Sequence, residues 1–244
     1  MRYALLILAI ILASCTSNVA EVPKVANVKE VVNTTTSATP ATSTTIKSSN
    51  TIYELPSTFK LKVPFTSQAP HANWDDPYQE ACEEASLIMV NAYLNNNPLT
   101  PARADAEIID LVTYEESLGL SQDITIEQVA TIAENYYGYK TRIIENPTVD
   151  IIKQELTFQN PVIVPAAGRK LGNPYFSGEG PWYHMLVVTG YDRNEFITND
   201  PGTKRGEGHK YKYQTLMNAI HDWTGVKEEI EAGIPKVLVL YKKQ

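Results

Sequence analysis

The chain has 244 residues and a formal net charge of −7, with 21 Lys and Arg against 28 Asp and Glu. That length suits one well-cored domain with an extension, or at most two small domains. No run of lysine and arginine supplies the basic face that nucleic-acid binding needs, so no nucleic-acid partner is expected.

In chain order, the first element is a processing signal. Arg2 is followed by "ALLILAIIL", an apolar run of signal-peptide length that is too short to span a bilayer as a mature helix. "LASC", ending at Cys15, resembles the bacterial lipoprotein cleavage box. That resemblance implies a signal peptide over residues 1–14 and lipid on the sulfur of Cys15. It also implies an exported protein held at the outer face of the bacterial cytoplasmic membrane, or at an outer membrane. The alternative is an ordinary secretion signal with a chance cysteine. Residues 15–52 are rich in Ser, Thr and Ala, as in "NTTTSATPATSTTIKSSNT". They carry too little apolar surface to offset their ordering entropy and read as a disordered tether.

The folded domain is expected over residues 53–244. "FKLKVPF" alternates like a short strand ended by Pro64. After the turn-rich "HANWDDP", the residues from Ala81 to Tyr93 predict a buried helix closed by "NNNP". Further helices are predicted from Pro101 to Leu111, from Thr125 to Tyr136 with Gly138 as its stop, and from Val149 to Phe158. The period then changes. "PVIVPAA", "HMLVVTGY", "EFITND" and "KVLVLY" are short runs bounded by turn residues and predict strands, with one more helix from Tyr213 to Trp223. Helices first and strands afterwards predict an α+β domain with an antiparallel sheet.

If Cys15 carries lipid, Cys82 is the lone remaining thiol. Ala85, Ser86 and Met89 share its helical face, and a buried face alone favours an inert cysteine. Its place at a helix start argues the other way, because unpaired N–H groups and a partial positive charge stabilise a thiolate. Glu83 and Glu84 would oppose that thiolate unless their side chains point elsewhere. A base is then needed. Of the four histidines, His184 opens the buried run "HMLVVTGY" and is placed to face a cleft from a rigid element. The chain returns along "FITNDPG" to Asp200, whose carboxylate would orient the imidazole, with Asn199 as the substitute. A symmetric even-length hairpin sets Asp200 opposite Val187, on the wrong face for His184; an odd loop or a bulge would correct this. Asp200 is otherwise a turn residue. An oxyanion would be held by the Cys82 N–H and a glutamine amide, with Gln68 and Gln79 both upstream.

The segments "VPFTSQ", "ACEEASLIMV", "NPYFSGEGPWYHMLVVTGY" and "NDPGT" resemble the papain-fold cysteine peptidases related to the bacteriocin leader-processing peptidases. The resemblance covers nearly all of Leu61 to Tyr241. It implies a papain-like fold with a central cysteine helix packed on an antiparallel sheet, and a cysteine peptidase using Cys82, His184, Asp200 and Gln68. The family often has glycine after the cysteine, where this chain has Glu83. The glycine-rich segment from Gly168 to Tyr183 is expected to border the cleft, with Tyr175, Phe176 and Trp182 as substrate contacts or as packing. Substrate would be a peptide or protein, cell-wall peptide included. No cofactor is expected, and no paired-ligand spacing for a metal such as zinc occurs. Two rival readings remain. One is a peptidoglycan amidase or endopeptidase with His209 as orienter. The other is a non-catalytic peptide- or cell-wall-binding module with an unreactive Cys82.

Overall fold

A computed structural model of the protein describes residues 54–243. The expected signal segment, Cys15 and the expected tether lie outside the described residues. Strand β1 (Phe59–Lys60) leads to a 3-10 turn (Tyr78–Glu80) and three helices: α1 (Cys82–Leu94), α2 (Pro101–Ser117) and α3 (Ile126–Asn135). Next come β2 (Lys140–Glu145), α4 (Val149–Thr157), β3 (Val162–Ala167) and the short α5 (Gly168–Leu171). β4 (Tyr183–Tyr191), β5 (Glu195–Asn199), β6 (Glu207–Lys212), α6 (Tyr213–Ala219), a second 3-10 segment (Lys227–Ala232) and β7 (Lys236–Tyr241) complete the domain. The sheet order is β2-β7-β3-β4-β5-β6, and β1 pairs with the end of β4. Every pairing is antiparallel.

Local chemistry explains where the helices begin. Thr100 caps α2 by accepting from the Arg103 N–H, with Pro101 in its first turn. Thr125 and Gln128 form a reciprocal capping box on α3, and Thr148 caps α4. Helix α1 is different, because its N-cap is Ala81 and offers no side chain. Nor is α1 amphipathic: from Cys82 to Ala92 every residue is buried. It packs on β4 on one side and on α2 and α3 elsewhere. Leu87, Ile88, Met89 and Val90 therefore all enter the core, each worth about 1.5–3 kcal/mol of burial.

The structure departs from the expected elements in several places; the last helix stops at Ala219 rather than Trp223, and the short α5 was not expected. β1 is only two residues long, although the Leu61 N–H continues its register onto the Thr189 carbonyl. Helix α2 continues past Leu111 to Ser117 and so carries the buried Glu115. β2 and β6 were not anticipated. Both lie at the sheet's edges and alternate charged with half-buried residues, a weak pattern that suits an edge.

Candidate active site

Cys82 is the first residue of α1 and is 5 % exposed. The first-turn N–H groups there have no intrahelical acceptor and no side-chain cap. The thiol's hydrogen-bond partner is Glu83, with Sγ 2.9 Å from Oε2. The other oxygen of Glu83, Oε1, accepts from the Ile124 N–H at 3.2 Å. Glu83 thus turns inward toward the sulfur. Burial pushes the Cys82 thiol well above its ordinary pKa, and Glu83, Asp123 and Glu84 push the same way. Burial also raises Glu83 well above the carboxylate range, with Glu84 and Asp123 adding to it.

His184 is the second residue of β4 and is buried. Its Nε2 lies 2.7 Å from Asp200 Oδ1. The two residues meet because the β4–β5 ladder slips. Tyr191 pairs with Phe196 and Gly190 with Ile197, but Val188 pairs with Thr198 and Val187 with Asn199. Thr189 is the extra residue of a bulge, and its carbonyl is taken by Leu61 of the neighbouring segment. Continuing the shifted register sets Asp200 against Leu186, two residues from His184 and therefore on its face.

Asp200 is held from several directions. Oδ1 also accepts from the Gly202 N–H at 3.0 Å. Oδ2 accepts from Asn173 Nδ2 at 2.9 Å and from the Tyr211 hydroxyl at 2.5 Å. Burial opposes the charge on Asp200, yet His184 beside it and the bonds from Tyr211 and Asn173 hold its carboxyl below the usual range. Burial and Asp200 push the Tyr211 hydroxyl far up, so it stays a donor. Nothing in the sequence pattern pointed to Asn173 or Tyr211, which arrive from a loop and from an edge strand. Asn199, the substitute orienter, is spent on structure: it donates to the Val63 carbonyl and accepts from the Gly208 N–H.

Cys82 and His184 line one cleft of about 200 Å³, together with Gln68, Gln79, Trp74 and Phe176. The Phe176 ring meets the His184 imidazole edge-on, with centroids 5.2 Å apart. Gly202 closes against the imidazole: a Cβ there would fall 2.8 Å from His184 Cε1 and 2.9 Å from Phe176 Cε1. Tyr175 lines a neighbouring hollow of about 350 Å³ that shares Trp74, Ser177 and Gly202 with the cleft and carries Lys204 and Arg205. Trp182, the other expected substrate contact, is not among the residues lining these two hollows. It is half-buried against the core, with the Arg169 guanidinium 3.5 Å above its ring. The segment from Gly168 to Tyr183 begins as α5 and is stapled by that stack, by an Arg169–Glu179 ion pair and by the Gly168 N–H on the Trp182 carbonyl.

Gln68 is buried in the cleft wall, and its Nε2 donates to the carbonyls of Tyr78 and Gln79 at 3.0 and 2.9 Å. Its Oε1 is buried without a partner. Gln68 therefore clamps the turn that delivers Cys82, while Gln79 is exposed in the same wall. None of the remaining histidines bonds Asp200 directly, though His209 is near enough to feel its charge. His209 meets the rings of Tyr211 and Tyr175 edge-on, His221 bonds the Gly233 carbonyl, and His71 is exposed. Among the described residues, no group of three or more His, Cys, Asp or Glu side chains is arranged to hold a metal ion.

A thiol and an imidazole on one cleft wall, the imidazole braced by a buried carboxylate, are the parts a thiol hydrolase requires. A family model described as "Peptidase_C39 like family" matches residues 60–231. The chain belongs to that family. Among solved structures, this C39-like chain is similar to one described as a putative C39-like peptidase from Bacillus anthracis. The two are 15 % identical with a TM-score of 0.52, over 77 % of this chain and 98 % of that one. The fold is thus the α+β, papain-like fold of C39-like peptidases. No curated protein matches the C39-like chain in sequence.

Proposed function

We propose that the protein is a cysteine peptidase, exported and anchored to a membrane by lipid on Cys15. In this reading Cys82 gives its proton to His184 Nδ1, and the sulfur attacks an amide carbonyl. His184 returns the proton to the leaving amine, and water then hydrolyses the thioester. Asp200 holds the imidazole by Nε2, which leaves Nδ1 for the sulfur. The oxyanion is assigned to the Cys82 N–H and to Gln68, whose amide must release one of its two carbonyls to reach it. Gln79 is the alternative donor in the same wall. The observation that carries the reading is the shared cleft: Cys82 and the Asp200-braced His184 line one opening. The cleft and the adjoining hollow together favour an extended peptide substrate, a cell-wall peptide included.

Labelling with a thiol-reactive peptide probe tests this directly. Cys82→Ala and His184→Ala are each expected to abolish labelling and hydrolysis; undiminished labelling of Cys82 in the His184 variant overturns the reading. Cys15→Ala is expected to move the protein from the membrane to the soluble fraction. One observation favours a second reading, a peptide-binding module: the Cys82 thiol is buried and bonded to Glu83. A folded-state thiol inert up to pH 9 would decide for that module.

A further inference from the structure

Glu83 sits where many cysteine nucleophiles have a small residue, and it touches the sulfur. Its two oxygens have different partners. Oε1 accepts the Ile124 N–H, which marks it as the carbonyl-like oxygen. Oε2 faces Cys82 Sγ at 2.9 Å and is therefore the oxygen that carries a proton when the group is neutral. The S···O separation is the same whether the hydrogen lies on sulfur or on oxygen. A carboxylate at that distance would repel a thiolate; a carboxylic acid would donate to it.

We propose that Glu83 works in catalysis as a neutral acid, its Oε2–H donating a hydrogen bond to the Cys82 thiolate after the thiol proton has passed to His184. The proposal rests on the peptidase reading for the role of His184. The proton count is conserved: one proton moves from Cys82 Sγ to His184 Nδ1, and Glu83 keeps its own. The surroundings keep Glu83 protonated. It is 1 % exposed, and the groups facing it are Cys82 and Glu84 on α1, Glu115 on α2, Asp123 in the following loop, and Tyr183 on β4. None of these is a cation. Lys227 acts on Asp123 and lies one group further out. Burial and the carboxyls of Glu84 and Asp123 favour the acid form of Glu83, against the opposing bonds from Cys82 and Ile124. Loss of that proton would place a negative charge against the sulfur and remove the donor together.

The test is the rate of Cys82 alkylation by iodoacetamide from pH 4.5 to 9.5 in the full chain, for the wild type, E83Q, E83A and H184A. The wild type is expected to be reactive on the acid side and to lose at least tenfold on the alkaline side as Glu83 ionises. E83Q keeps a donor that does not titrate, so its alkaline loss should disappear. E83A has no donor and should react at least tenfold more slowly than E83Q on the acid side. Superposable wild-type and E83Q profiles overturn the proposal. So does an E83A variant as reactive as E83Q, since the carboxyl would then merely suppress the thiol. If E83A does not fold, the comparison of E83Q with wild type still decides. H184A separates the two readings: full reactivity there sinks the peptidase assignment, whereas Glu83 is judged by the three profiles with His184 intact.

Discussion

Asp200 reaches His184 because the ladder between them is one residue out of step. The bulge at Thr189 moves Asp200 from opposite Val187 to opposite Leu186 and so onto the imidazole's face. Gly190 follows the bulge, and a Cβ there would fall 2.5 Å from the Phe59 carbonyl. The close crossing of β1 and the slip in register are thus built into the same stretch of β4.

The brace on His184 should be measurable apart from the fold. Asp200→Asn keeps the shape and removes the charge, and it is expected to slow probe labelling of Cys82 about 10–100-fold. Tyr211→Phe, which removes one of the donors to Oδ2, should cost about tenfold or less. Circular dichroism of each variant checks that the loss is not unfolding.

Gly202→Ala offers a steric probe of the imidazole. The added methyl would lie 2.8 Å from His184 Cε1, so the ring or the turn must shift. A displacement on the order of 1 Å at reacting groups can cost about 100-fold in rate. A loss of that size in kcat, with the thermal midpoint little changed, is the expected result.

The two glutamines should separate by what they damage. Gln68 holds two carbonyls of the turn before Cys82, so Gln68→Ala is expected to lower stability by about 1–3 kcal/mol as well as activity. Gln79 is exposed, and Gln79→Ala should leave stability unchanged. Urea unfolding set beside peptide hydrolysis reads both effects.

The buried carboxyls predict an inverted stability profile. Burial raises Glu115 to about 8, with the neighbouring Glu83 carboxyl pushing the same way should it ionise, and burial raises Glu84 as well. An unfolded glutamate titrates at about 4.3, so folding takes up protons between that value and the folded one. This contribution is fully present below the unfolded pKa and is lost as pH rises through the folded pKa. Calorimetry from pH 5 to 9 should therefore show the thermal midpoint falling with pH, by the equivalent of a few kcal/mol. Glu115→Gln should flatten that fall.

Much of the site could be read from one dimension because its residues mark element boundaries. Cys82 opens a helix that is buried from its first residue, His184 is the second residue of a strand, and Asp200 follows the next strand and precedes a proline. Such boundaries leave signatures in hydrophobic period and turn residues. The bulge left none, since threonine before glycine in a strand is ordinary, and register depends on a neighbour some 130 positions away, at Phe59 to Leu61. Asn173 and Tyr211 were equally silent. Each is an unremarked polar residue until tertiary packing sets it against Asp200. Trp182 read equally as a substrate contact or as packing, and the structure sets the Arg169 guanidinium over its ring. Glu83 was legible as a conflict with a thiolate; its inward turn depends on the Ile124 N–H, supplied by a distant loop.

The Ser67 hydroxyl and the Gln68 N–H both bond the Pro201 carbonyl, across separations of 134 and 133 residues. Such long loops close late in folding, because their entropy must be overcome before any contact rewards it. The segment that clamps the cysteine's turn is therefore secured only when the last third of the polypeptide has been made and docked. A chain lacking that last part would carry the Cys82 thiol without the Pro201 anchor for the segment that clamps its turn.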